Sequence, residues 1–466
     1  MERSPHVTRW LSALLAAAII CGCHDDRGAE HTVEFWTISL RPTFTEYIES
    51  RIERFETDHP EVEIRWVDVP FNTIERKLLS AAAAGRAPDV VNMSDMMFAR
   101  FAAAGAFADV GEHPGFDPAE RYHEGALAVG RLGDRQLALP WYLTTQAVIC
   151  NEALLAEGGL SPETLGTTWD ELIDQAGPFH ERTGQYLFTQ PLGTDSQLPV
   201  MLLADGLVPF RVGEGGRLRI DLARPDIEAS IGRWVALYRS GAMPREAATR
   251  GFEHLIDVYQ NERVAAVNTG ANFLARVRGV SRDVYARTRV LPPVTGTLGA
   301  AHIAVMPVCV SAETDAPEAA RAWAAFITSP ANQLDFCRLA PILPSTPASL
   351  DDPFFAGPTA EEREEGLATI GEARATVASA LGDAVAFTPA IEAWPEMRRV
   401  FNERIKGALL GGRDAGEVLE EIEAVWAEQL LEMNDRRIAS GGSPAGIEAI
   451  PEAVRGSVKT DAVATR

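Results

Sequence analysis

The sequence predicts an α/β protein of more than one domain, and three observations carry that prediction. From His31 onward, short strand candidates alternate with amphipathic helices, the pattern of a mostly parallel sheet flanked by helices. The chain has 466 residues, more than one compact core accommodates, so roughly two or three domains are expected. Between two runs of this strand-helix grammar lies Leu139–Glu152, LPWYLTTQAVICNE, which reads as a crossing from one domain to the next.

The elements follow in order. His31–Ser39 is the first strand, with Val33, Phe35 and Trp36 as an apolar patch, and Arg41-Pro42 breaks it. Phe44, Ile48, Ile52 and Phe55 recur at helical spacing and form one buried stripe. Asp58-His59-Pro60 stops that helix. Val62, Ile64 and Trp66 alternate, so Val62–Val69 is the second strand. Ile74, Leu78 and Ala82 share one side of the next helix, with Gly85 as its C-terminal cap. Asp89–Met93 is a third strand, and Ser94 offers an N-cap for Met96–Ala104.

In the crossing, Pro140 has no amide proton and fits the edge or entry of a strand better than its middle. Trp141 and Tyr142 set two rings beside it, and hydroxyl residues including Thr145 follow, as side chains lining a gap would. Gln146–Cys150 is a short β-rich run, and Asn151-Glu152 opens a helical segment, Ala153–Glu157. The same residues are also compatible with an ordinary strand inside a single domain.

Beyond it, Thr168 and Glu171 form a capping box, and Asp226–Ser240 is an amphipathic helix. Val264–Val267 is a brief strand running into Asn268–Phe273, where Asn272 and Phe273 sit in a loop of amides and tight backbone. Val290-Leu291-Pro292-Pro293 resembles a second crossing, Ala304–Val310 an apolar strand, and Pro341–Pro344 a third rigid passage. Helices are expected at Pro317–Thr328, Gln333–Leu339 and over most of Phe354–Met433, with Ala393-Trp394-Pro395 as an interruption. Residues 441–466 lack a periodic apolar pattern and are expected to be disordered.

In sheets of this kind ligands sit beyond the carboxyl ends of strands. Two loops fall there, Trp36-Thr37-Ile38-Ser39 and Asn92-Met93-Ser94-Asp95, each joining polar side chains to a ring or a helix start. Asp95 also fits as a first-turn helix charge.

Composition narrows the function. The formal net charge is −23, from 66 acidic and 43 basic residues, which opposes binding to phosphate backbones and so to nucleic acid. Arg3 and Arg9 precede the apolar run Trp10–Ile20, the two leading regions of a secretory signal. Ile20-Cys21-Gly22-Cys23 resembles a bacterial lipobox, in which the cysteine is lipidated and becomes the first mature residue. Cys23 fits because Gly22 stands before the cut, so residues 1–22 are the expected leader. Cys150, Cys309 and Cys337 then remain, an odd number without metal-ligand spacing, which argues against a disulfide framework or a zinc site.

Taken together, AAAAGRAPDVVNMSD (Ala81–Asp95), LPWYLTTQAVICNEALLAEGGL (Leu139–Leu160), NERVAAVNTGANF (Asn261–Phe273), VLPPVTG (Val290–Gly296) and AWAAFITSPANQ (Ala322–Gln333) carry a resemblance. The chain resembles the sugar-type extracellular solute-binding proteins of bacterial ABC importers, from about Thr32 to Met433. The resemblance implies a periplasmic-binding-protein-like fold, two α/β lobes joined by a three-passage hinge around a cleft. By that analogy the first lobe takes residues 31–140 plus 299–345 and the second 146–298 plus 346–440. It implies a monomer without cofactor or bound metal that captures a mono- or oligosaccharide, partners permease subunits and hangs from the membrane through Cys23. It also implies ligand contacts from Trp36 and Asp95 in the first lobe, Trp141 and Tyr142 at the junction, and Asn272 and Trp394 in the second.

Two other classes compete. The carboxylates would permit a glycosidase pair, although no GxSxG, HExxH or P-loop motif occurs. A sensory subunit presenting bound solute to a receptor would use the same cleft, with a polyamine or ferric ion as other cargoes.

Overall fold

The computed structural model describes residues 29–111, 116–439 and 442–460; Cys23 and the expected leader lie outside them. The strands in chain order are β1 His31–Ile38, β2 Val62–Val69, β3 Val90–Asn92, β4 Arg131–Leu132, β5 Arg135–Gln136, β6 Ala138–Asn151, β7 Tyr186–Thr189, β8 Phe210–Val212, β9 Leu218–Ile220, β10 Val264–Gly270, β11 Thr288–Leu291, β12 Ile303–Val310, β13 Leu343–Pro344 and β14 Lys459–Thr460. Nine of these form one sheet in the order β2-β1-β3-β12-β6-β10-β7, with β11 and β13 also paired to β6. The first strands pair in parallel, β1 with β2 and with β3, as the strand-helix alternation predicts.

β6 organises the molecule. Its first part, Ala138–Thr145, pairs antiparallel with β12, and its second part, Gln146–Asn151, pairs with β10 and β11. One continuous strand therefore belongs to two sheet halves, each with its own core. Phe35, Trp141, Trp323 and Phe336 fill one; Trp169, Trp234, Trp394 and Trp426 fill the other. Each of these rings removes enough apolar surface from water to stabilise its half by roughly 2–3 kcal/mol.

Local signals explain several element boundaries. Gly85 takes φ +63 just past the helix Ile74–Ala83, where a left-handed residue ends the ladder. Ser94 accepts from the Met97 amide and starts the helix Asp95–Ala103. Thr168 and Glu171 form the expected capping box at Trp169–Thr183.

Three expectations are corrected. Pro140 lies inside β6 rather than at its edge. Its partner is Pro307 of β12, and the register shifts there, so two residues without an amide proton face each other where the ladder is already broken. Their carbonyls find other donors: Ser345 Oγ bonds the Pro140 oxygen at 2.6 Å, and Asn92 Nδ2 bonds that of Pro307 at 3.1 Å. Ala393-Trp394-Pro395 does not interrupt a helix but begins one, Trp394–Leu409, with Pro395 in the first turn where its missing amide is harmless. The C-terminal segment is ordered over 442–460: Ala445, Ile450 and Val454 are buried, and β14 adds to β8. Its apolar residues are few and aperiodic, so only their docking partners reveal the packing.

Candidate ligand-binding cleft

The two sheet halves meet at Thr145-Gln146. Ile303, the first residue of β12, pairs with Thr145, and Gly270, the last residue of β10, pairs with Gln146. Strand ends from both halves thus converge on one point of β6. A hydrogen-bond cluster surrounds it. Asn268 donates through Nδ2 to Gln146 Oε1 at 2.5 Å and accepts from the Val294 amide at 3.1 Å. Gln190 Nε2 donates to the Asn268 carbonyl at 3.2 Å, and Thr145 Oγ1 to the His302 carbonyl at 2.8 Å.

Arg398 closes the gap from the other side. Met397, Val400, Phe401 and Ile405 bury one face of the helix Trp394–Leu409, which leaves Arg398 directed away from that core. Its Nη2 donates to the Ser196 carbonyl at 3.1 Å, and its Nη1 lies 3.5 Å from the Met96 sulfur. Met96 belongs to the helix that follows β3, so one guanidinium touches both halves.

The electrostatics follow from burial. Asp95 Oδ1 accepts from the Met96 amide at 2.7 Å. Desolvation nevertheless raises the carboxyl to about 6, against the stabilising pull of that amide and of Arg398. Burial lowers the Arg398 pKa, an effect that Asp95 and Asp195 oppose. Burial also holds His302 down to about 4, with the Arg398 charge acting in the same direction. Four buried polar atoms here lack a hydrogen-bond partner among the described residues: Asn92 Oδ1, Asp95 Oδ2, Gln190 Oε1 and Arg398 Nε. Such atoms are scarce in folded proteins because each carries an uncompensated desolvation penalty of about 1–3 kcal/mol.

Two cavities flank this cluster, of about 520 and 580 Å³, within the size range of small-molecule sites. The first contains Asp95 and Phe98. The second contains Thr145, Gln146, Gln197, Asn272, Phe273 and His302.

The residues singled out from sequence divide accordingly. Asp95, Thr145, Asn272 and Phe273 border cavities. Trp141 does not: it is fully buried and stacks on Phe336 at 5.3 Å between ring centres, so the expected ligand contact is corrected to a core role. Trp394 is corrected likewise, being buried against Phe210 and Trp426. Thr37 is buried, donating to Asp68 and accepting from the Trp66 indole, both at 2.7 Å. Ser94 is spent on its helix cap, and Asn92 holds the Pro307 carbonyl with only its Oδ1 free. Half-buried Trp36 donates to Glu34 at 2.7 Å, and Tyr142 meets Phe336 edge-on at 5.4 Å; neither borders the two cavities. Gln197, His302 and Arg398 carry no sequence expectation, Gln146 stands there only as the start of a β-rich run, and Asn268 only as the first residue of an amide-bearing loop. Only Arg398 had a signal, one helical turn after the Trp394-Pro395 start.

A continuous strand shared by two sheet halves, with buried polar groups of both facing one gap, defines a solute-binding protein of the periplasmic-binding-protein-like α/β class. The chain belongs to the bacterial extracellular solute-binding protein family, whose model matches residues 50–362. Among solved structures it is similar to a candidate oligosaccharide periplasmic-binding protein from Synechococcus sp. MITs9220, at 30% identity and a TM-score of 0.75 over 88% of this chain and 99% of that one. The sugar-binding protein MalE of Xanthomonas citri shares the fold at 18% identity and a TM-score of 0.71, over 88% and 99% of the two chains. The GacH receptor of Streptomyces glaucescens, solved unliganded and with acarbose, does so at 20% identity and a TM-score of 0.64, over 86% and 98%. The candidate ABC transporter periplasmic-binding protein YcjN of Escherichia coli is 24% identical over 177 residues, 36% of this chain and 39% of its own length. An uncharacterised lipoprotein of Streptomyces antibioticus is 23% identical over 360 residues, 74% of this chain and 78% of its own.

Proposed function

We propose that this chain captures a mono- or oligosaccharide between its two sheet halves by hinge closure and presents it to an ABC permease. The observation that carries the reading is the set of unpartnered buried atoms in the two halves, Asp95 Oδ2 in the first and Arg398 Nε and Gln190 Oε1 in the second. Sugar hydroxyls donate and accept at once, so one ligand satisfies a carboxylate, an amide oxygen and a guanidinium together. A ligand bonding both halves stabilises the shut arrangement over the open one. The oligosaccharide-associated names of structural relatives support the cargo class, and YcjN supports the transport role.

In this reading the first lobe is residues 31–140 plus 299–345 and the second 146–298 plus 346–440, with 442–460 joined to the second. Delivery calls for a binder without turnover, acting as a monomer and held outside the cytoplasm by lipidated Cys23. A thermal-shift screen over mono- and oligosaccharides, with amino acids, polyamines and metal ions as controls, tests the cargo. Stabilisation by saccharides without hydrolysis is expected; a response confined to the controls would refute it. One observation favours polyamine as the second cargo class: Asp95, Glu124, Asp134, Asp383, Glu448 and Glu452 all border the smaller cavity. The same screen decides between them.

A further inference from the structure

The segment Gly442–Thr460 folds back onto the protein through specific bonds. Asn434 Oδ1 accepts from the Ala445 amide at 2.8 Å, and the Leu218 amide donates to the Ala445 carbonyl at 2.9 Å. The Ala390 amide donates to the Ala449 carbonyl at 2.7 Å, while Lys459 and Thr460 pair with Arg211 and Val212 of β8. Ile450 and Val454 are buried. Every one of these anchors belongs to the half of the molecule that carries Arg398.

The other side of the segment faces across the gap. The cavity of about 520 Å³ is bounded by Glu448, Ile450 and Glu452 from this segment, and by Asp95, Phe98 and Arg131 from the opposite half. Arg131 Nη1 lies 3.0 Å from Glu124 and 3.8 Å from Glu452, so the segment reaches the far wall through an exposed ion pair. That pair is too open to solvent to hold the halves shut by itself.

We propose that Gly446–Arg455 is a ligand-recognition wall that sets the length of saccharide the cleft accepts. The inference rests on the carbohydrate reading above. The wall supplies the groups such a ligand needs: the Glu448 and Glu452 carboxylates accept from hydroxyls, and half-buried Pro451 offers apolar surface to the carbon face of a ring. Because its anchors lie in one half and Asp95 and Arg131 in the other, this compartment exists only when the halves are together. A sugar unit occupying it adds contacts found in the shut state alone, which couples chain length to closure.

Calorimetry of the full mature chain against glucose and gluco-oligosaccharides of two to six units tests this. Ala453 is exposed and borders the cavity, so Ala453→Trp fills the compartment without disturbing the core. It should weaken the longest saccharide bound by the unaltered chain about tenfold or more, and leave the shortest unchanged. Glu452→Gln, which keeps shape and removes charge, should weaken the same long saccharide by about threefold. If Ala453→Trp leaves the whole length profile unaltered, the wall is overturned while the carbohydrate reading stands. If the unaltered chain binds none of the panel, the wall as a gauge of gluco-oligosaccharide length falls, and the thermal-shift screen over other saccharides decides the carbohydrate reading.

Discussion

The backbone amide of Phe387 donates to Nδ1 of His302 at 3.2 Å, tying the start of β12 to the passage that leads into the Arg398 helix. With Nδ1 accepting, the neutral ring keeps its proton on Nε2. Burial holds the imidazole near pKa 4, so it stays an uncharged donor through the range where a free histidine would ionise.

His302 and Asp95 should therefore pull stability in opposite directions with pH. For His302 the folded pKa of about 4 lies below the ordinary 6.5, so its contribution is present above 6.5 and lost as pH falls toward 4. For Asp95 the folded pKa of about 6 lies above the ordinary 3.8, so its contribution is present in acid and lost as pH rises toward 6. Urea midpoints between pH 4 and 7 are compared with those of the unaltered chain, so that each substitution reports one group. Asp95→Asn should become steadily less stable on acidification, and His302→Gln more stable. Parallel profiles for all three would remove both assignments.

Arg398→Ala should weaken saccharide binding by about 10–100-fold, the scale of a lost charge-assisted hydrogen bond of about 1.5–3 kcal/mol. Arg398→Lys should recover only part, because an ammonium cannot span the Ser196 carbonyl and a ligand with one planar fork. Titration calorimetry measures both; wild-type affinity in the alanine variant would take Arg398 out of the site.

Trp141→Ala should act on folding and spare recognition. The indole is fully buried against Phe35, Tyr142 and Phe336, so the cavity left behind should cost about 3–5 kcal/mol. Denaturant unfolding should show that loss, while the affinity of the remaining folded chain changes little. A selective loss of affinity at unchanged stability would restore Trp141 to the ligand.

Asn268→Ala breaks the bonds to Gln146 and to the Val294 amide, both within the second half beside its seam with the first. It should destabilise the chain by about 1–3 kcal/mol. Denaturant unfolding measures the loss; an unchanged midpoint would mean that the two bonds add nothing to the folded state.

How much of this was legible beforehand can be traced residue by residue. β1, β2 and the helix starts at Ser94 and Thr168 are set by short-range chemistry: alternation of apolar side chains, a capping hydroxyl, a glycine past the last turn. The crossing at Leu139–Glu152 is legible in part: the β-rich run Gln146–Cys150 is the second part of β6, whereas Pro140 lies inside that strand and not beside it. Pro140 departs from the strand-edge expectation because the groups that accommodate it, Pro307 opposite and Ser345 at its carbonyl, lie far away in the chain.

The sequence by itself determined the class of fold, the alternation that builds a parallel sheet, and family membership spread over many weak motifs. Tertiary structure alone decided which polar groups face the gap. Trp141 and Trp394 looked like sugar platforms and are core; Arg398, His302 and Asn268 looked like ordinary surface or strand residues and sit at the seam. The reason is physical. Helix and strand patterns are written in neighbours a few residues apart, whereas a binding cleft is made where elements distant in the chain converge, and burial there is a property of the assembled molecule.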